Sequence, residues 1–201
     1  MEFIGAMILV IMSGFIGPTA VEYIKIKLSK KDNDPVKRDL VYSTVISEEL
    51  EEIREKLDAD RIWIGMFHNG GHFLHGAKSM QKISVMHENT KAGVLSNVLL
   101  FNNIPVSLLS RSIIYIINEP LIKIVDVSEA DNAFSGLTAV YDALGVKSGY
   151  VIGLFDIVND SLLGLVGVDF NTLSEIDTED SEFLILRAQR LAGYISNFIK
   201  S

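Results

Sequence analysis

Between Arg61 and Glu88 the sequence reads RIWIGMFHNGGHFLHGAKSMQKISVMHE, which predicts a strand, a loop and a second strand. Along an extended RIWIGMFHN, Ile62, Ile64, Met66 and His68 fall on one face, and Trp63 and Phe67 on the other. Apolar side chains on both faces call for a strand covered on both sides. The chain must therefore build a sheet with packing layers above and below it. All four histidines, His68, His72, His75 and His87, lie in this stretch. The loop between the strands carries Asn69, Gly70, Gly71 and Gly76, and the mouth of any pocket is expected there.

The rest of the chain sets out an α+β order. Ile46, Leu50, Ile53 and Leu57 form one apolar stripe of a helix over 36–58, opposite a run of glutamates. Helices are predicted over 91–103 and 106–117, separated by Pro105. A strand over 121–127, a polar loop over 128–135 and a short helix over 136–144 closed by Gly145 come next. Tyr150–Val158 and Leu162–Phe170 read as a hairpin turning at Asn159-Asp160-Ser161. Asp177 or Thr178 caps a last helix striped by Leu184, Ala188, Leu191, Ile195 and Phe198. An antiparallel sheet with helices packed against it is the expected fold.

Residues 3–21, FIGAMILVIMSGFIGPTAV, carry no charge. At ~1.5 Å per residue this run spans about 28 Å as a helix, close to the ~30 Å hydrocarbon core of a bilayer. The start, Met1-Glu2-Phe3, lacks the basic opening of a cleaved signal peptide. A single transmembrane helix over 1–24 is expected, with the lipid bilayer as its partner. Lys25, Lys27, Lys30 and Lys31 follow it. By the positive-inside rule they place the N-terminus outside and the C-terminal domain in the cytoplasm, at an inner membrane of a bacterium or a phage-infected host. Residues 25–37 read as a basic juxtamembrane linker, and 38–201 as the domain.

Charge and cysteine content narrow the function. The chain has a formal net charge of −8 and no cysteine. Its acidic balance falls on the domain, since residues 1–38 carry a net +2 and the remainder a net −10. An acidic domain is a poor match for nucleic acid, whose phosphates need clustered Lys and Arg. Without cysteine there are no disulfides, thiolate metal sites or thiol nucleophiles.

Several segments resemble GAF domains. ADRIWIGMF (59–67) is similar to the family's first strand. NEPLIKIVDVSEAD (118–131) resembles its middle strand and following loop, LGVKSGYVIGLF (144–155) its entry to a central strand, and DSLLGLVGVDF (160–170) its hairpin return. The resemblance implies a six-stranded antiparallel sheet with the first and last helices on one face. In many members the other face encloses a small-molecule pocket. It implies a sensor or regulatory domain rather than an enzyme. The cysteines that attach bilins, or that serve the family's sulfoxide reductases, are absent, as is the signature of the cyclic-nucleotide phosphodiesterase subtype.

The candidate ligand-binding residues are His68, Asn69, Gly70, Gly71, His72, Lys78, Ser79, Lys82, His87, Glu88, Asp126 and Ser148. His68, His72, His75 and His87 are also the only candidates for a metal site, since imidazole suits zinc, iron or nickel. His68, His72 and His75 fall in the HNGGHFLH loop and His87 at the end of the next strand, without the helical spacing of an HExxH motif. The Gly71–Ser79 run nearly matches a phosphate-binding loop, but Ala77 parts the glycine from the lysine and a strand follows where a helix is needed. No catalytic set and no cofactor can be named. Three readings remain open: a membrane-anchored, non-enzymatic sensor of a small molecule; a ligand-free interaction module that dimerises or recruits a partner; and a metal enzyme using the histidines. The stripes over 40–57 and 180–199 are the surfaces on which a homodimer would form.

Overall fold

The computed structural model describes residues 35–69, 81–156, 158 and 160–199. The expected transmembrane helix over 1–24 lies outside these residues. Among the described residues, no helix is long and apolar enough to cross a membrane. One compact unit runs from Ile46 to Lys200, and residues before Ile46 belong to a separate unit.

Helix α1 spans Pro35–Lys56. It begins inside the segment expected to be linker, because a proline at a helix start has a preset φ and needs no amide donor there. Asp58 closes it in the left-handed region, at φ 48°. Strands β1 (Arg61–Asn69) and β2 (Gln81–Thr90) follow as predicted. A two-residue strand β3 (Ile104–Pro105) leads through a 3-10 turn into α2 (Ser110–Asn118). Next come β4 (Leu121–Ile124), two 3-10 turns, and α3 (Ser135–Leu144). As the sequence predicts, α3 ends at Gly145, whose φ of 72° suits glycine. Strands β5 (Ser148–Phe155) and β6 (Leu162–Phe170) form the hairpin, and α4 (Thr178–Ile199) ends the fold. Asp177 accepts the amide of Asp180 at 2.8 Å, the cap expected at that position.

The helix predicted over 91–103 does not form. Tertiary polar bonds take the backbone groups that a helix would need. Arg61 donates to the carbonyl of Leu95 at 2.9 Å, Glu88 accepts the amide of Asn97 at 3.0 Å, and the carbonyl of Phe101 accepts from the amide of Val85 at 3.0 Å. Gly93, at φ 87°, turns the chain at the start. The result is an irregular strap along the outer edge of β2.

The six strands pair antiparallel in the order β3-β2-β1-β6-β5-β4. Alternation along β1 sorts its side chains as predicted. Ile62 and Ile64 enter one core, with Ile46, Leu50 and Ile53 of α1, Leu57 just beyond it, and Leu184, Ala188, Leu191 and Ile195 of α4. Of the two helical stripes, Ile46–Leu57 and Leu184–Ile195 are thus consumed within the chain's own core. At ~1.5–3 kcal/mol for each large apolar side chain buried, that packing dominates the stability of this layer. Trp63 enters the second core on the opposite face, with Phe101, Ile113, Ile116, Leu137 and Tyr141. Aromatic rings lie flat on strand glycines here. A Cβ on Gly167 would stand 2.1 Å from the Trp63 ring, and one on Gly149 2.4 Å from that of Tyr141.

Candidate functional site

A cavity of about 460 Å³ opens between the β1–β2 end of the sheet and the α1 and α4 layer. Ile64, Met66 and His68 reach it from β1, Ser84, Met86 and His87 from β2, Asn102 from the strap, and Ile46, Ile195 and Phe198 from the helices. It lies on the terminal-helix face of the sheet, whereas the family resemblance led us to expect a pocket on the other face.

A β-bulge assembles the polar end. Ile64 pairs with His87 and Gly65 with Val85, so Met86 has no partner across the ladder. In an unbroken strand, residues 84 and 87 would face opposite ways. The extra residue turns His87 onto the face that Ser84 already occupies. Met66 stands opposite Ser84 in register, and His68 opposite Lys82.

Hydrogen-bond directions at Ser84 are fixed by its neighbours. Its Oγ accepts the amide of Asn103 at 2.8 Å and donates its single proton to Asn102 Oδ1 at 2.7 Å. That oxygen also accepts from Asn103 Nδ2 at 2.9 Å. The 2.8 Å contact between His68 Nε2 and Ser84 Oγ must then be donated by the histidine. Ser84 is a saturated hydroxyl holding a ring in place, not an activated nucleophile. His87 is half-buried, and that burial pushes its imidazole below the usual histidine range. No hydrogen bond to either of its ring nitrogens is present among the described residues.

The remaining candidates disperse. Gly70, Gly71, His72, His75, Lys78 and Ser79 lie outside the described residues. Asn69 ends β1, opposite Gln81. Glu88 is turned away from the cavity into a buried cluster, 3.2 Å from Arg61 Nε. Ser148 is fully buried. It donates to the carbonyl of Val125 at 2.6 Å and accepts the amide of Ser174 at 2.8 Å, which ties β5 to the chain entering α4. Asp126 caps a 3-10 turn through the amide of Ser128 and lies in an open groove with Ser135, Asp142 and Lys147. Among the described residues, no group of three or more metal-ligating side chains comes together. Ser84 and Asn102 were missed in the sequence because only the ladder register and the strap bring them to His68.

The cluster that holds Glu88 sits on the second face. Arg61 Nη1 lies 3.4 Å from Asp169 Oδ2, which also accepts the indole N–H of Trp63 at 3.0 Å. With its oxygen turned to the guanidinium, the Asn97 amide accepts from Nη1 and Nη2 at 3.0 Å. Arg61, Glu88 and Asp169 are all almost fully buried. One cation serves two carboxylates. Burial pushes the pKa of Asp169 up to about 6, against the opposing pull of Arg61 and Trp63.

No protein-family model and no curated protein matches this sequence. Solved structures do match. The phycocyanobilin-bound GAF domain from a cyanobacterial phytochrome aligns with a TM-score of 0.63 at 19% identity, over 88% of this chain and 94% of that one. A phycoerythrobilin-bound GAF domain, also from a cyanobacterial phytochrome, gives 0.62 at 19% identity, over 88% and 95%. A domain of a putative two-component sensor histidine kinase protein from Sinorhizobium meliloti gives 0.53 at 14%, over 76% and 89%. At such identities the likeness is one of fold. The described chain has the α+β fold of GAF domains.

Proposed function

We propose that this chain is a membrane-anchored, cytoplasmic sensor module of GAF fold that binds a small molecule without transforming it. The observation that carries the reading is the cavity bearing His68 and His87. At about 460 Å³ it falls within the roughly 300–1,000 Å³ of small-molecule sites. Apolar walls with a few convergent polar groups are also what such sites share. The aligned cyanobacterial GAF domains are bilin-bound, so this fold can hold a small molecule; fold alone does not assign the function. The uncharged run 3–21 and the lysines after it support the anchor.

Native mass spectrometry of the full chain, purified without added ligand, tests the binding reading. A co-purified small molecule, lost when the cavity is filled by Met66→Trp, is the expected result. An empty protein that no compound of a metabolite library stabilises against heat would overturn it, because a ligand of the native state alone must raise stability. Cell fractionation tests the anchor. Removing residues 1–24 should move the chain from the membrane to the soluble fraction.

A further inference from the structure

We infer that the cavity takes an uncharged, largely apolar molecule carrying a hydroxyl head, an alcohol or a phenol, rather than an anion. The inference rests on the reading of this cavity as a ligand site and specifies its chemistry.

The walls exclude charge. Among the described residues, no Lys, Arg, Asp or Glu lines the cavity. A carboxylate or phosphate entering it would give up hydration and meet no cation among the described lining residues. The body of the ligand meets Ile46, Ile64, Met66, Met86, Ile195 and Phe198 instead.

The polar end selects the head group. In the Nε2–H tautomer that donates to Ser84, His68 has Nδ1 as its acceptor. Asn102 spends its Oδ1 on Ser84 and Asn103, which leaves the amide donors of its Nδ2. His87 adds a second imidazole with no partner among the described residues. An acceptor and a donor at the open end of an apolar groove fit a group that both donates and accepts, which a hydroxyl does. A carboxylate has no proton to give to His68, and a ketone or ether would leave that nitrogen unmatched.

Three probes with one body test this: 4-phenylphenol, biphenyl-4-carboxylate and biphenyl. Each is titrated calorimetrically into the full chain in lipid nanodiscs, with empty nanodiscs as the blank. The expected result is that the phenol binds at least tenfold tighter than the carboxylate. His68→Phe and Asn102→Leu should each erase most of the phenol's advantage over biphenyl while biphenyl still binds, which also shows that the variants are folded. A carboxylate that binds as tightly as the phenol would overturn the hydroxyl inference and leave the ligand site standing. A phenol preference that survives both variants would overturn it too. Failure of all three probes, together with an empty cavity in native mass spectrometry, would instead remove the ligand-site reading beneath it.

Discussion

His68 Nε2 lies 2.8 Å from Ser84 Oγ, and the other bonds of that hydroxyl oblige the histidine to be the donor. Ser84→Ala would remove the acceptor of His68 and of the Asn103 amide in a part-buried site. Leaving part-buried donors unpaired costs about 1 kcal/mol. Chemical denaturation should show a loss of that size. Nitrogen NMR of His68 should show a mixture of tautomers in the variant where the parent holds the Nε2–H form. An unchanged tautomer would mean that Ser84 does not set it.

Asp169 gives the second prediction, in pH. Its folded pKa of about 6 stands above the ordinary carboxylate value of 3.8, chiefly through burial. The folded state therefore holds a proton that the unfolded chain has released. The stabilising contribution of this group is complete below pH 3.8 and is lost as pH rises through about 6. A shift of about two units is worth about 3 kcal/mol. The unfolding free energy of the parent minus that of Asp169→Asn should fall by up to that amount between pH 4 and pH 7. A flat difference would show the carboxylate to be ionised throughout.

Trp63, the only tryptophan of the chain, packs on the bare backbone of Gly167. Gly167→Ala would set a Cβ 2.1 Å from the indole and 2.6 Å from the Nε1 that bonds Asp169. Overpacking of this kind costs about 1–3 kcal/mol. A lower melting temperature should come with a red shift of Trp63 fluorescence as the ring leaves its buried seat. Unchanged emission would mean that the strand moves instead of the ring.

Glu49 of α1 lies 2.8 Å from Arg187 Nη1 and 3.4 Å from Arg190 Nε, both on α4, and its carboxylate is almost fully buried. Without Glu49, Arg187 keeps Glu52 and Arg190 keeps Tyr194, both at partly exposed positions, so the loss stays below the ~3 kcal/mol of a stranded buried charge. Glu49→Ala should lower stability by about 1–2 kcal/mol, and Arg187→Ala introduced on top of it should cost less than it does alone. Additive losses in this double-mutant cycle would show that the ions do not cooperate.

Local chemistry was enough to read much of this fold. Alternation along β1 fixed which residues face which core, because successive strand side chains must point opposite ways. Heptad-like spacing fixed the buried stripes of α1 and α4, and Gly145 and Asp177 fixed helix ends through backbone geometry and capping. Where the periodic signal met competing bonds from outside the segment, as over residues 91–103, it failed: Arg61, Val85 and Glu88 supply the partners that a helix would have supplied within it.

The candidate site divides the same way. Sequence alone pointed to His68 and His87 only as two of four clustered histidines. It could not join them, because strict alternation along β2 sets His87 on the face away from Ser84. The bulge at Met86 reverses that, and the strap brings Asn102 to the same place. Both depend on how β2 is paired on each side, and pairing between distant segments is a property of the folded chain that no local pattern encodes.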